Sequence, residues 1–220
     1  MKNVLVIVTM MSVLTADGQV IGSELPNPIS RQQNYLFYFH GQVVTELGDM
    51  CINNGAPEWG RYEYSYILDS LRKRGFNVIS EIRKKGVDDS VYIQQTVRQV
   101  RNLLSAGVNP RQIMLIGASS GWNIVLRAAS LLQQRALNYV IMGGCWPDTY
   151  QEYASLKLKG NFLSIIEATD PHGTCVKIFE GKQDHKSYQE IKLNTGLSHG
   201  FFYRGRREWI DPIVIWFEKK

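Results

Sequence analysis

No stretch of these 220 residues holds the eighteen or more consecutive apolar residues that a membrane-spanning helix needs. Internal repeats and low-complexity segments are also missing, which excludes solenoids and disordered tails. Cysteine is scarce. There are three, Cys51, Cys145 and Cys175, and although His172 lies three residues before Cys175, no second pair completes a metal-ligand set. No metal site is therefore expected. Charge of one sign is only slightly in excess, 25 Lys and Arg against 20 Asp and Glu, a formal net charge of +5. The positive residues fall in scattered groups: Arg72-Lys73-Arg74, Arg83-Lys84-Lys85, and Arg204 with Arg206 and Arg207. Each group lies near a predicted element end, so a solvated surface is the reading. With no nucleic-acid motif beside them, a polynucleotide is not an expected partner.

What is present begins with a leader. Lys2 supplies a positive start, Val4 to Leu14 form an apolar run, and Ala16 and Gly18 are small residues where a signal peptidase could cut. This pattern predicts a signal peptide over residues 1–18 and a single domain over residues 19–220. No cysteine follows at a lipoprotein position, so the expectation is a secreted or periplasmic protein without a membrane anchor. Export would permit a disulfide. Cys145 and Cys175 both follow predicted strands and could meet at one sheet edge; free thiols remain the alternative.

Beyond the leader, strands alternate with helices. Tyr35 to Phe39, Phe76 to Ile82, Ile113 to Ile116, Tyr139 to Met142, Phe162 to Ile166 and Gln189 to Leu193 read as strands. Arg61 to Arg74 and Ser90 to Ala106 carry apolar residues at helical spacing, and Gly75 and Gly107 stop them. A further helix starts near Ser120, and Asp211-Pro212 is placed to cap the last one. The alternation predicts an α/β fold: a mostly parallel sheet with helices on both faces. In such sheets ligands bind beyond the carboxyl ends of the strands.

The sharpest local signal is Gly117-Ala118-Ser119-Ser120-Gly121, a G-x-S-x-G directly after an apolar strand and before an amphipathic helix. The turn is so tight that both glycines are needed to avoid clashes. Ser119 is then exposed above the sheet beside a helix N-terminus, where negative charge is favoured. A nucleophilic serine needs a base within reach. Of the histidines at 40, 172, 185 and 199, His199 in Ser198-His199-Gly200 follows the last predicted strand and precedes the last helix. The orienting acid should be a carboxylate at a strand end. Asp170 is the first candidate, Asp148 the runner-up and Asp184 a third. Backbone N–H groups must then face the developing oxyanion. Ser120 supplies one, and Gln42, after His40-Gly41 at the end of the first long strand, supplies the other. His40 is expected to brace that loop. His40, Gly41, Trp122 and Trp146 are candidate substrate contacts, with Trp59, Tyr62 and Phe201 as further aromatics of the pocket or core.

Taken together, His40-Gly41, the Gly117–Gly121 elbow, Asp170 and Ser198-His199-Gly200 make the chain from Asn34 onward resemble the α/β-hydrolase superfamily. The resemblance is to its small bacterial members, akin to dienelactone hydrolases and simple esterases. It implies the α/β-hydrolase fold, a Ser-His-Asp acyl-enzyme mechanism in the order Ser119, Asp170, His199, and no cofactor. The chain departs from the family at Trp122, where many relatives carry a small residue. The short stretch between Gly144 and Asn161 leaves no room for a large lid, and the first strands are reduced. The implied function is a carboxylic ester hydrolase acting on a small-molecule or acylated-carbohydrate ester. A peptidase or thioesterase would use the same triad, and a catalytically silent binding protein could stand on the same scaffold. Oligomeric state is not legible.

Overall fold

The computed structural model describes residues 19–56, 58–182 and 185–220. The expected leader, residues 1–18, and the candidate acid Asp184 lie outside them. In chain order the elements are β1 (Ile21–Gly22), β2 (Asn34–Phe39), α1 (Gln42–Leu47), α2 (Asp49–Asn53), α3 (Tyr64–Arg72), β3 (Phe76–Ile79), α4 (Asp89–Ser105), β4 (Ile113–Ala118) and α5 (Gly121–Leu132). There follow β5 (Asn138–Met142), α6 (Tyr150–Ala154), β6 (Asn161–Glu167), α7 (Val176–Phe179), β7 (Ser187–Leu193) and α8 (Arg207–Glu218). The strands form one seven-stranded sheet in the order β1-β3-β2-β4-β5-β6-β7, and every neighbouring pair is parallel.

Alternation along each strand builds two cores. Leu36, Tyr38, Met114, Ile116, Val140 and Leu163 face one side, under α3 and α8. Tyr35, Phe37, Ile113, Leu115, Tyr139 and Phe162 face the other, under α4 and α5. Helices thus cover both faces, as a wholly parallel sheet requires. The first strand is only two residues long. Between Gly144 and Asn161 there is one 3-10 turn, Pro147–Thr149, and the five-residue α6, and no large lid.

The amino ends of the strands are joined by buried carboxamides. Asn138 and Asn161 are register partners, and Asn161 Nδ2 donates to Asn138 Oδ1 at 3.1 Å. Asn138 Nδ2 donates in turn to the carbonyls of Arg111 and Ile113. On the other side Ser187 Oγ donates to Asn161 Oδ1 at 3.0 Å. Each buried polar group is therefore satisfied across a strand boundary.

Three expectations are corrected. The third strand ends at Ile79, not Ile82. The last helix begins at Arg207, so Pro212 lies inside it instead of opening it. Its missing N–H removes one bond, to Glu208, while Ile210 and Trp209 still bond back to Arg206. The packing of Trp209, Ile213 and Trp216 into the core outweighs that loss. Finally, Arg83 is not a solvated surface residue: it is 3% exposed.

Candidate active site

The strand order reverses between β2 and β4, so the loops leaving those strands part to open a crevice at the carboxyl edge. The loop after β4 carries Ser119, with a φ of 48°. A Cβ on Gly117 would lie 2.4 Å from Gly121 O, and one on Gly121 would lie 2.3 Å from Phe39 O. Only glycine fits at either position, and the strained turn is held because the strand, the helix and β2 close on it from three sides.

Ser119, His199 and Asp170 meet as predicted. His199 Nε2 is 2.8 Å from Ser119 Oγ, and His199 Nδ1 is 2.7 Å from Asp170 Oδ2. A carboxylate only accepts, so Nδ1 carries the proton and Nε2 is left as the acceptor for the serine hydroxyl. The side chains of His199 and Asp170 are 3% and 0% exposed, which strengthens both contacts. Asp170 reaches His199 because β6 and β7 are neighbours. Asp148 is exposed on the Pro147–Thr149 turn and makes no hydrogen bond with His199.

Gln42 opens α1, and Ser120 caps α5. Among the described residues neither backbone N–H has an acceptor, as donors waiting for an oxyanion would be. Gly41 passes so close that a Cβ there would stand 3.0 Å from Ser119 Cβ. His40 is fully buried, lines neither the cleft over Ser119 nor the one beside Ser120, and acts as a brace instead of a substrate contact. Its Nε2 accepts from the Arg83 N–H at 2.9 Å, and its Nδ1 donates to Gly41 O at 2.9 Å. Burial and the nearby Arg83 charge push its pKa down to about 3, so the ring is neutral.

Three residues of the site escape a sequence reading. Arg83 donates to His40 O and to Ser120 Oγ, and pairs with Asp89 at 3.1 Å. It thereby ties the loop after β2 to the loop after β4. His172 donates its N–H to Asp170 Oδ1 at 3.0 Å. Its ring packs edge-on to His199 at 4.5 Å and against Trp146 at 5.1 Å. Burial, then the neighbouring His199, lowers its pKa. Asp170, His172 and His199 place ligand-type atoms within 4.8 Å of one another, but Asp170 and His199 are already bonded to each other.

The third is Glu167, which accepts from Thr169, Thr195 and Gly196 and so joins the acid loop to the chain entering the histidine loop. Burial alone would raise its pKa, but those hydrogen bonds prevail and hold it at about 2, against an ordinary 4.5. A depressed carboxyl stabilises the fold fully above its unfolded pKa, and the contribution is lost as pH falls through the folded value. Glu167→Gln keeps the size but turns an amide donor toward backbone donors. It is expected to lower the unfolding free energy by about 2 kcal/mol at neutral pH, read by urea denaturation.

The loops after β5 and β6 are joined by the disulfide Cys145–Cys175, while Cys51 is a buried free thiol. Trp122 is 1% exposed and packs on Tyr153 at 4.2 Å. Its room comes from Gly144, where a Cβ would stand 2.6 Å from Trp122 Cγ. Trp146, Trp59, Tyr203, Val43 and Leu47 wall a cleft of about 500 Å³ over Ser119 and His199. Tyr62 and Phe201 belong to the core.

No family model matches the sequence, and no curated protein does. Solved structures do match. SOBER1 of Arabidopsis thaliana is similar over 85% of this chain and 98% of its own, with a TM-score of 0.52 at 12% identity. A CIB-like hydrolase of Thermoplasma acidophilum is similar over 87% of this chain and 88% of its own, with a TM-score of 0.55 at 13% identity. XC6422 of Xanthomonas campestris, an α/β serine hydrolase without lid, is similar over 89% and 84%, with a TM-score of 0.51 at 14% identity. With the all-parallel sheet, the glycine-bounded elbow and this likeness together, the chain has the α/β-hydrolase fold.

Proposed function

We propose that this protein is a serine hydrolase that cleaves a carboxylic ester through an acyl-enzyme. The observation that carries the reading is the unbroken hydrogen-bonded line Ser119 Oγ, His199 Nε2, His199 Nδ1, Asp170 Oδ2. His199 takes the Ser119 proton as Oγ bonds to the ester carbon, and the carbonyl electron pair moves to oxygen, facing the Gln42 and Ser120 N–H groups. The tetrahedral species collapses, the C–O bond to the alcohol breaks, and His199 returns its proton to the leaving oxygen. Water repeats the cycle, giving the acid and free Ser119. The open cleft admits a small ester without lid movement. Export is part of the proposal, and a Cys145–Cys175 bridge supports it because such bonds persist outside reducing compartments.

The test is labelling with a fluorophosphonate, which reacts only with a serine activated by base and oxyanion donors. Peptide mapping is expected to place the label on Ser119 in the wild type and to find none in His199→Ala. A folded wild-type protein that stays unlabelled would falsify the assignment and favour a silent binding protein.

A further inference from the structure

A second cleft, of about 330 Å³, opens beside Gln42 and Ser120. It shares Gln42 and Trp146 with the cleft over Ser119, and Ser120 faces only this second one. The two differ in chemistry. The first is walled by Val43, Leu47, Trp59 and Tyr203. The second sets Thr45, Glu46, Asp89 and Asn123 beside the apolar Val87 and Trp122.

The polar wall is a bonded network with hydrogens and lone pairs to spare. Arg83 Nη2 donates to Ser120 Oγ, which leaves the Ser120 hydroxyl hydrogen free. Asn123 Nδ2 gives one hydrogen to Asp89 Oδ2 at 2.8 Å and retains the other. Thr45 Oγ1 is a buried atom with no partner among the described residues. The charges are already matched, Asp89 with Arg83 at 3.1 Å and Glu46 with Lys85 at 2.8 Å. The polar side of this cleft suits a neutral group that both donates and accepts, with Val87 and Trp122 left to pack on its carbon skeleton.

Geometry decides which half of an ester lies there. Around the tetrahedral carbon stand Ser119 Oγ, the oxyanion toward Gln42 and Ser120, the leaving oxygen and the acyl substituent. The leaving oxygen must lie by His199 to be protonated, and His199 lines only the apolar cleft. The acyl substituent therefore points past Gln42 and Trp146 into the polar cleft. Resting on the esterase reading above, we infer that the preferred substrates are esters of a short hydroxylated acid with an apolar or aromatic alcohol. An acylated sugar would carry its hydroxyls on the opposite side of Ser119.

The experiment uses 4-nitrophenyl esters of 3-hydroxybutyric, 3-methylbutyric and 3-aminobutyric acids, which differ only in hydroxyl, methyl or ammonium. With kcat/KM divided by each ester's hydroxide rate, the hydroxy ester is expected to lead the methyl ester roughly tenfold, the worth of one hydrogen bond. Glu46→Leu, on an exposed position, and Asn123→Leu are each expected to bring that ratio close to one. An equal or reversed hydroxy-to-methyl ratio in a protein whose Ser119 takes the fluorophosphonate overturns this inference alone. A lead by the ammonium ester overturns the neutral-ligand assignment. Failure to label Ser119 removes the esterase reading and this inference with it.

Discussion

Ser119→Ala is expected to lower kcat/KM on an activated ester by about 10⁴-fold or more, with the far-UV spectrum unchanged. The substitution removes one oxygen, and among the described residues its one hydrogen-bond partner is His199. The backbone turn is fixed by Gly117 and Gly121, not by the serine hydroxyl, so alanine inherits the same geometry. What remains is water attack at the oxyanion donors. Activity within tenfold of wild type would mean that another group carries the reaction.

Asp170→Asn is expected to cost about 10⁴-fold in kcat, while Asp148→Asn changes it less than threefold. Asparagine at 170 would have to meet both the His172 N–H and the His199 ring. Presenting its NH₂ to His199 forces the proton onto Nε2, where it faces Ser119 as a donor and the serine has no base. A Cβ on Gly143 would stand 3.1 Å from Asp170 Oδ2, so the site has little room for a rotated amide to escape this choice. Titration of kcat against pH for the two variants separates them. A large loss in Asp148→Asn with Asp170→Asn near wild type would reverse the assignment.

The elbow that carries Ser119 was legible because its requirement is local: two glycines at fixed spacing, an apolar strand before them and an amphipathic helix after. The alternation of strands and helices was legible for the same reason. The carboxylate that meets His199 was less so, since Asp148 and Asp170 both follow strands; only the adjacency of β6 and β7 brings one of them to His199. Pairing of Cys145 with Cys175 likewise depends on β5 and β6 being neighbours. Arg83 was misread because its two lysine neighbours mimic a surface cluster, while its partners His40 and Ser120 lie 43 and 37 residues away. Glu167 and His172 act on side chains and amides that only the folded loops bring together. Pro212 misled because a proline that opens a helix and one tolerated within it look alike in sequence, and the buried Trp209 before it decides the matter.

The carboxamides at the amino ends of the strands check how the sheet is assembled. A strand that slides by one residue turns its apolar set to the wrong face, and here it also parts Asn138 from Asn161 and from the carbonyls they satisfy. Each stranded amide in that dry setting costs about 1–3 kcal/mol. A slipped sheet is thus penalised at the end remote from Ser119, so proofreading of the strand register is kept apart from the chemistry that depends on it.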